Sequence, residues 1–542
     1  MNSASLLAFN SATPPSSFSK VLLTANANTP SILFLALAFV LLYFCATTVY
    51  HVHFSPLAAL PGPWYAAISD FWLTTHVVRL QQCRTVQTLF EKYGPVVRVG
   101  PNKVAFCDVT TMKSVYCVHK LDKSTYYKSL STNNNDHAMT TLPNAQHAIR
   151  RKAYSPHYIP TTLSLFQTEL HDSVITLIEI LDCLAGETSV ECLDLFRHLM
   201  VDIIGDTVFG CRPGSLEKRA MNIQDPLSTA VNDFPKRGIL RSAVPTWAWN
   251  LVCRIPNVRW RQICDSDQIM AQFVGGRLYE MRAQMQAGPV GEDNDVEKMP
   301  LLQRMLQHRV FSTSEGLSDQ NIISEAMGHL IAGVDTSSTT LSYLFWELSR
   351  RPDIMKQLQT ELDDVMSDRK VIPDLSVLYR LPYLNAFIKE GLRLYSAAPS
   401  LLERIVPAAS KIDDSFDLMG YALPPGTIVS TQAWSMHRDA DVFPSPETFL
   451  PERWLPVEGI AGEEERLMRM TQHMIPFGVG SRVCGGQNLA QMVLRMTVAA
   501  VARNFNIASK VGETNERSME IRDAFVIFPA SKECRLTFTA RK

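Results

Sequence analysis

Residues 476–486 read PFGVGSRVCGG, and no other stretch constrains the fold of this chain as strongly. Phe477, Gly478, Gly480, Arg482, Cys484 and Gly486 stand in the spacing F-G-x-G-x-R-x-C-x-G, and a helix-forming run, GGQNLAQMVLRM, begins at once behind them. Glycines admit positive φ and let a backbone approach a flat ligand closely. A cysteine at the amino end of a helix gains from the dipole and from free N–H groups, which favour its thiolate. Arg482 adds a cation suited to a carboxylate. The plain alternative is a glycine turn capped by a buried cysteine, which leaves the register of six positions unexplained.

Three other patterns precede this loop. AGVDT (332–336) sits in a helical pattern over 319–349, flanked by Leu330, Ile331 and Leu341. An acid beside an alcohol is a poor helix former, because each competes for backbone hydrogen bonds. A solvent-facing polar turn is the simple reading, but the apolar flanks argue for a buried helix with Ala332 and Gly333 leaving room for a ligand. EGLR places Glu390 and Arg393 three apart on one helix face, and Pro451-Glu452-Arg453-Trp454 follows. HAIRRK (147–152) sets His147 and Arg151 four apart, again on one face.

In this order the patterns resemble the cytochrome P-450 family, over about residues 60–540. The resemblance implies a mainly α (α+β) fold with small sheets around haem b (iron protoporphyrin IX). Cys484 becomes the axial ligand of the haem iron, with Phe477 packed on the sulfur side. Arg482, Arg151, Arg404 (in LLERIVP) and His147 become contacts to the haem carboxylates, His147 standing where the family often has Trp. A planar guanidinium suits a carboxylate because it donates two parallel hydrogen bonds. Asp335 and Thr336 become the distal acid–alcohol pair, with Ala332 beside the porphyrin. Glu390, Arg393 and Arg453 become a buried support for the cysteine loop, with Trp454 in place of the commoner Phe.

The amino terminus reads differently. Between Lys20 and Asp70 there is no charged residue, and Ile32–Tyr50 is almost wholly apolar. Nineteen helical residues span about 28 Å, close to the hydrocarbon thickness of a bilayer. A cleaved signal peptide is the alternative, though its apolar core is usually shorter. The expected organisation is a polar leader (1–31), a single transmembrane anchor (32–50), a proline-rich hinge (51–63) and a catalytic body (64–542). Within the body, Val96–Val99 and Lys103–Phe106 read as a hairpin. Long helices are expected over 146–155, 160–184, 191–209, 352–367, 381–395 and 487–503, with strands in 418–432 and a loop at 286–299.

With 52 Lys+Arg against 53 Asp+Glu, no basic excess points to nucleic acid. Eleven scattered cysteines without a C-x-x-C pair suit a reducing compartment better than a disulfide scaffold. The expected activity is insertion of one oxygen atom from O2 into a hydrophobic small molecule, a terpenoid or polyketide intermediate of fungal secondary metabolism. Fatty acids, aromatics or xenobiotics are the alternative substrates, and a reductase-independent haem-thiolate isomerase is the rival chemistry. The chain has no flavin or dinucleotide signature, so electrons are expected from NADPH through a separate NADPH–cytochrome P-450 reductase. Arg150, Lys152 and Arg495 form a candidate docking face for it. The anchor places the protein at the endoplasmic reticulum, catalytic body towards the cytosol. By resemblance the pocket includes Ala326, Leu330, Ala332, Val334, Ala397, Ala398, Leu401, Phe525 and Val526. Trp247, Trp249, Leu251 and Val252 read equally as lipid-dipping or as core.

Overall fold

A computed structural model describes residues 18–541, apart from Ala185, Glu187, Pro245, Val511 and residues 288–297, 309–316 and 409–415. One long helix, Asp319–Arg350, runs through the middle of the body. Ser318 caps it by accepting the Asn321 N–H at 3.3 Å, and Pro352 opens the next helix immediately after it. Most of its second half is buried, from Val334 to Leu348. Gly333 sets how closely a neighbour can cross: a Cβ there would meet Ile204 Cδ1 at 2.6 Å, so the helix Cys192–Ile204 packs directly onto this point. The same large core takes in the helices Gln167–Cys183, Pro382–Leu394 and Gln487–Asn504.

The small sheets lie at the edges of this helical mass. Val96–Gly100 and Lys103–Phe106 form the expected hairpin, which continues through Ile428–Ser430 and Arg404–Ile405 to Asp122–Lys123 as a five-stranded sheet. A second hairpin, Ile521–Ala524 with Val526–Pro529, puts Phe525 at its tip with φ +72°. The polar stretch expected as a loop at 286–299 lies mostly outside the described residues. Its first two positions complete the helix Val258–Ala287.

At the amino end the helix runs Phe18–Val49 and continues for one more turn through Tyr50–Phe54. Over Phe34–Phe54 this helix is long and apolar enough to cross a membrane, none of it is buried against the body, and it overlaps the 32–50 segment expected. The chain leaves the helix at Ser55, in extended backbone before Pro56. Arg98 holds this exit. Its buried guanidinium donates to the carbonyls of His51 (2.8 Å), Leu57 (3.4 Å) and Pro101 (2.8 Å).

Candidate active site

The cysteine loop is folded by its own backbone. Gly478 N–H donates to Ile475 O (3.0 Å), Val483 N–H to Gly480 O (3.1 Å) and Cys484 N–H to Phe477 O (2.8 Å). Gly480 has φ +72°, and a Cβ on it would overlap the Tyr116 carbonyl, so glycine is required there twice over. Cys484 is exposed, yet burial among protein atoms pushes its thiol above the usual range. The Gly486 and Gln487 N–H groups and the Arg151 charge pull the other way. An accessible sulfur that is costly to ionise lines an internal cleft.

The opposite wall is the central helix. Ala332 is exposed, although Leu330 and Val334 on either side are buried. Residues two apart on a helix point about 200° away from each other, so 328, 332 and 336 share one face and 326, 330 and 334 another. His329 ties the two walls together. It stacks on Tyr158 (ring centroids 5.3 Å) and meets Tyr154 edge-on (4.9 Å), while Tyr154 packs where a Cβ on Gly485 would sit 2.8 Å away.

Around this cleft stand five basic residues. Arg482 donates to Thr141 O and Leu142 O (2.8 and 2.7 Å), and Arg151 to Val483 O (2.7 Å). Arg404, in the strand Arg404–Ile405, reaches the Glu403 carbonyl (2.8 Å), the face of Tyr116 and the Tyr127 hydroxyl. His147 is buried on the helix Asn144–Tyr154, which excludes its alternative reading as a surface histidine. Its imidazole is pushed down to about 3, by burial first and then by Arg482, Lys123, Arg151 and Arg404. Lys123 is the member that sequence reasoning missed. It is buried directly opposite Arg404 in the antiparallel register, with Nζ on Met139 O at 2.7 Å. Burial, then Arg404 and Arg482, hold its ammonium well below the usual range. Like charges opposite each other on paired strands are destabilising. Among the described residues none of Lys123, Arg151, Arg404 and Arg482 forms an ion pair, and the buried Arg482 Nε has no partner. A ligand with carboxylates at its rim and an atom for Cys484 fits this site.

The acid–alcohol pair is divided by the helix turn. Thr336 donates to Ala332 O at 2.6 Å and stays with the cleft face. Asp335 is buried and accepts from Arg197 Nη2 at 3.0 Å, on the helix Cys192–Ile204. Glu390 and Arg393 are both fully buried and joined by two hydrogen bonds (2.8 and 2.9 Å). Arg453 Nε and the Leu450 N–H each reach Glu390 Oε1 at 3.0 Å. Trp454 donates its indole N–H to Glu390 Oε2 at 2.9 Å, a bond that Phe could not make.

The family model for Cytochrome P450 matches residues 60–533. The chain is a cytochrome P450. It is similar to Cytochrome P450 monooxygenase cypX of Dothistroma septosporum, with 28% identity covering 95% of this chain and 98% of that one. It is also similar to Fusicoccadiene C-8 hydroxylase of Alternaria brassicicola (28%; 92% and 93% covered) and to Benzoate 4-monooxygenase bphA of Aspergillus niger (26%; 92% and 95%). The family uses haem, and the chain is an oxygen-incorporating oxidoreductase.

One expectation for this P450 needs correction. Ala326, Leu330, Val334 and Leu401 were placed in the pocket by resemblance but are core residues, because the helix turns the first three away from Ala332. Ala397, Ala398, Phe525 and Val526 remain partly accessible. Of the candidate docking residues, Arg150 bonds to Asn321 (3.0 Å) and pairs with Glu325 (3.6 Å), Arg495 bonds to Asn385 (2.8 Å), and Lys152 is exposed. Trp247 and Leu251 point outward at 79% and 61% exposure, whereas Trp249 is buried beneath Arg237 and Arg241.

Proposed function

We propose that Cys484 ligates the iron of haem b, and that Arg151, His147, Arg404, Arg482 and Lys123 hold its carboxylates. What supports this reading is a set of buried and half-buried basic residues, without ion partners among the described residues, around a cleft that also presents an accessible thiol. Bound there, a thiolate-ligated haem would supply the oxygen activation established for P450s. The chain's own residues do the rest. Ala332 leaves space against the ligand plane. Thr336 holds a hydroxyl proton at Oγ1 on the cleft face, and Asp335 connects that turn to Arg197, whose side chain is partly solvent-exposed. Phe525, against Tyr126 and Tyr127 at 6.3 and 6.4 Å, forms an apolar wall that keeps water from the substrate.

The substrate is a hydrophobic small molecule, and we read it as a terpenoid or polyketide intermediate of fungal secondary metabolism. Hydroxylation of fusicoccadiene by one relative supports this choice, and the benzoate monooxygenase favours an aromatic substrate as the second reading. Electrons come from NADPH through a separate flavin-bearing reductase. The Phe34–Phe54 helix anchors the protein in the endoplasmic reticulum membrane with the body facing the cytosol. A reduced carbon-monoxide difference spectrum of the microsomal protein tests the ligand: wild type gives the thiolate band and Cys484→Ser does not. Feeding candidate scaffolds with NADPH and reductase tests the substrate. Product without reductase would favour the isomerase chemistry instead.

A further inference from the structure

His437 lies between the buried Glu390 cluster and the cysteine loop, and it is fully buried. Arg393 Nη1 donates to its backbone carbonyl at 2.9 Å. Its ring reaches back: Nδ1 is 3.0 Å from Arg393 O and 3.1 Å from Ser396 Oγ. On the other side the Ile475 N–H donates to Nε2 at 2.8 Å. An acceptor at Nε2 requires the ring proton to sit on Nδ1, where Arg393 O receives it, so the two bonds select one neutral tautomer. Ile475 opens the cysteine loop. Its carbonyl takes the Gly478 N–H, and the next carbonyl but one takes the Cys484 N–H. Hydrogen bonds therefore connect Glu390 through Arg393 and His437 to the first residue of the turn that carries Cys484.

We infer that His437 is a positioning residue for the Cys484 ligand, holding the loop in register through its neutral Nδ1–H tautomer. The inference rests on Cys484 being the haem ligand. Protonation at Nε2 would take the acceptor from Ile475 and place an imidazolium among the charges that face the ring. These are Arg393 from the Pro382–Leu394 helix, Arg438 from its own segment and His473 from the helix Glu463–His473. Burial is the main reason the imidazole stays neutral, down to about 3. The sign follows: a histidine held below its unfolded value of 6.5 supports the fold fully above that pH, and the support is lost as pH falls from 6.5 towards 3.

The test uses membrane-bound holoprotein and the thiolate band of the reduced carbon-monoxide spectrum, at equal total haem. His437→Phe is expected to raise the rate of thiolate-band loss about tenfold, the size usual for an outer-shell partner of a metal ligand. His437→Gln should rescue it at neutral pH, since an amide can accept from Ile475 and donate to Arg393. On acid titration, His437→Gln should keep the band to a pH about one unit lower than wild type, having no imidazole to protonate. A wild-type rate in His437→Phe, or an unchanged acid midpoint in His437→Gln, overturns the inference. If His437→Phe yields no folded protein, the His437→Gln midpoint decides alone. Cys484→Ser separates the two claims: if it keeps the band, the ligation reading falls and the inference with it, whereas loss of the band in Cys484→Ser beside wild-type behaviour of the His437 variants overturns the inference alone.

Discussion

At the residue scale, the informative side chains are those whose partners contradict their surroundings. Thr336 keeps its hydroxyl on Ala332 O within the cleft face, while Asp335 turns to Arg197. Thr336→Ala should therefore leave substrate binding near wild type but divert NADPH consumption from product to peroxide, read by measuring both per NADPH oxidised. Glu325 gives a second case. Its buried carboxylate accepts the Ala138 N–H at 3.0 Å, and burial, opposed by that bond and by Arg150, pushes it up to about 7. An acid raised from 4.5 to about 7 on folding supports the fold fully below 4.5, and that support is lost as pH rises to 7. Roughly 3 kcal/mol is at stake, and urea midpoints at pH 5 and pH 8 should differ less in Glu325→Gln than in wild type. Trp454 replaces the family's usual Phe with a hydrogen bond to Glu390. Losing a bond to a buried charge costs about 1.5–3 kcal/mol, so Trp454→Phe should lower the unfolding midpoint although the aromatic contact with Phe443 remains.

At the element scale, close approach decides more than propensity does. The cysteine loop could be recognised from its spacing because its hydrogen bonds are local, from Ile475 to Cys484. Its fit against Tyr116 was not, since that contact joins segments far apart in sequence. Gly480→Ala adds both a left-handed backbone penalty and an overlap with the Tyr116 carbonyl. Each such strain costs about 1–3 kcal/mol, so the variant should release haem faster, followed by transfer to a haem acceptor protein. The central helix teaches a related lesson. Its existence and extent could be read from the sequence, but its rotation was not: small and aliphatic residues occur on both faces, and only packing against Ile204 turns Ala332 to the cleft and Leu330 to the core.

At the scale of the whole molecule, the span Phe34–Phe54 lies outside the body, but the body grips the chain just behind it. Arg98 binds the carbonyls of His51 and Leu57, and Leu57 and Leu60 belong to a hydrophobic core cluster. Deleting residues 1–49 should move the protein to the soluble fraction with its unfolding midpoint nearly unchanged. Deleting residues 1–60 should also remove two buried leucines and two acceptors, at a cost of roughly 3–6 kcal/mol for the leucines alone. Denaturant titration of the two truncations distinguishes them. Trp247, Leu251 and Val258 add exposed apolar surface elsewhere.

Motifs with local causes were readable in the sequence alone: the glycine-cysteine turn, the i, i+3 pair Glu390–Arg393, the hairpin at Gly100–Asn102 and the uncharged apolar span near the amino end. Each depends on backbone freedom, helical spacing or hydropathy within a few residues. Tertiary structure alone decided that Lys123 faces Arg404, that His437 joins Arg393 to Ile475, and that Arg150 pairs with Glu325. The reason is physical: a charge acts through its neighbours in space and their desolvation, and neighbours brought together by chain crossings leave no period or spacing in the sequence.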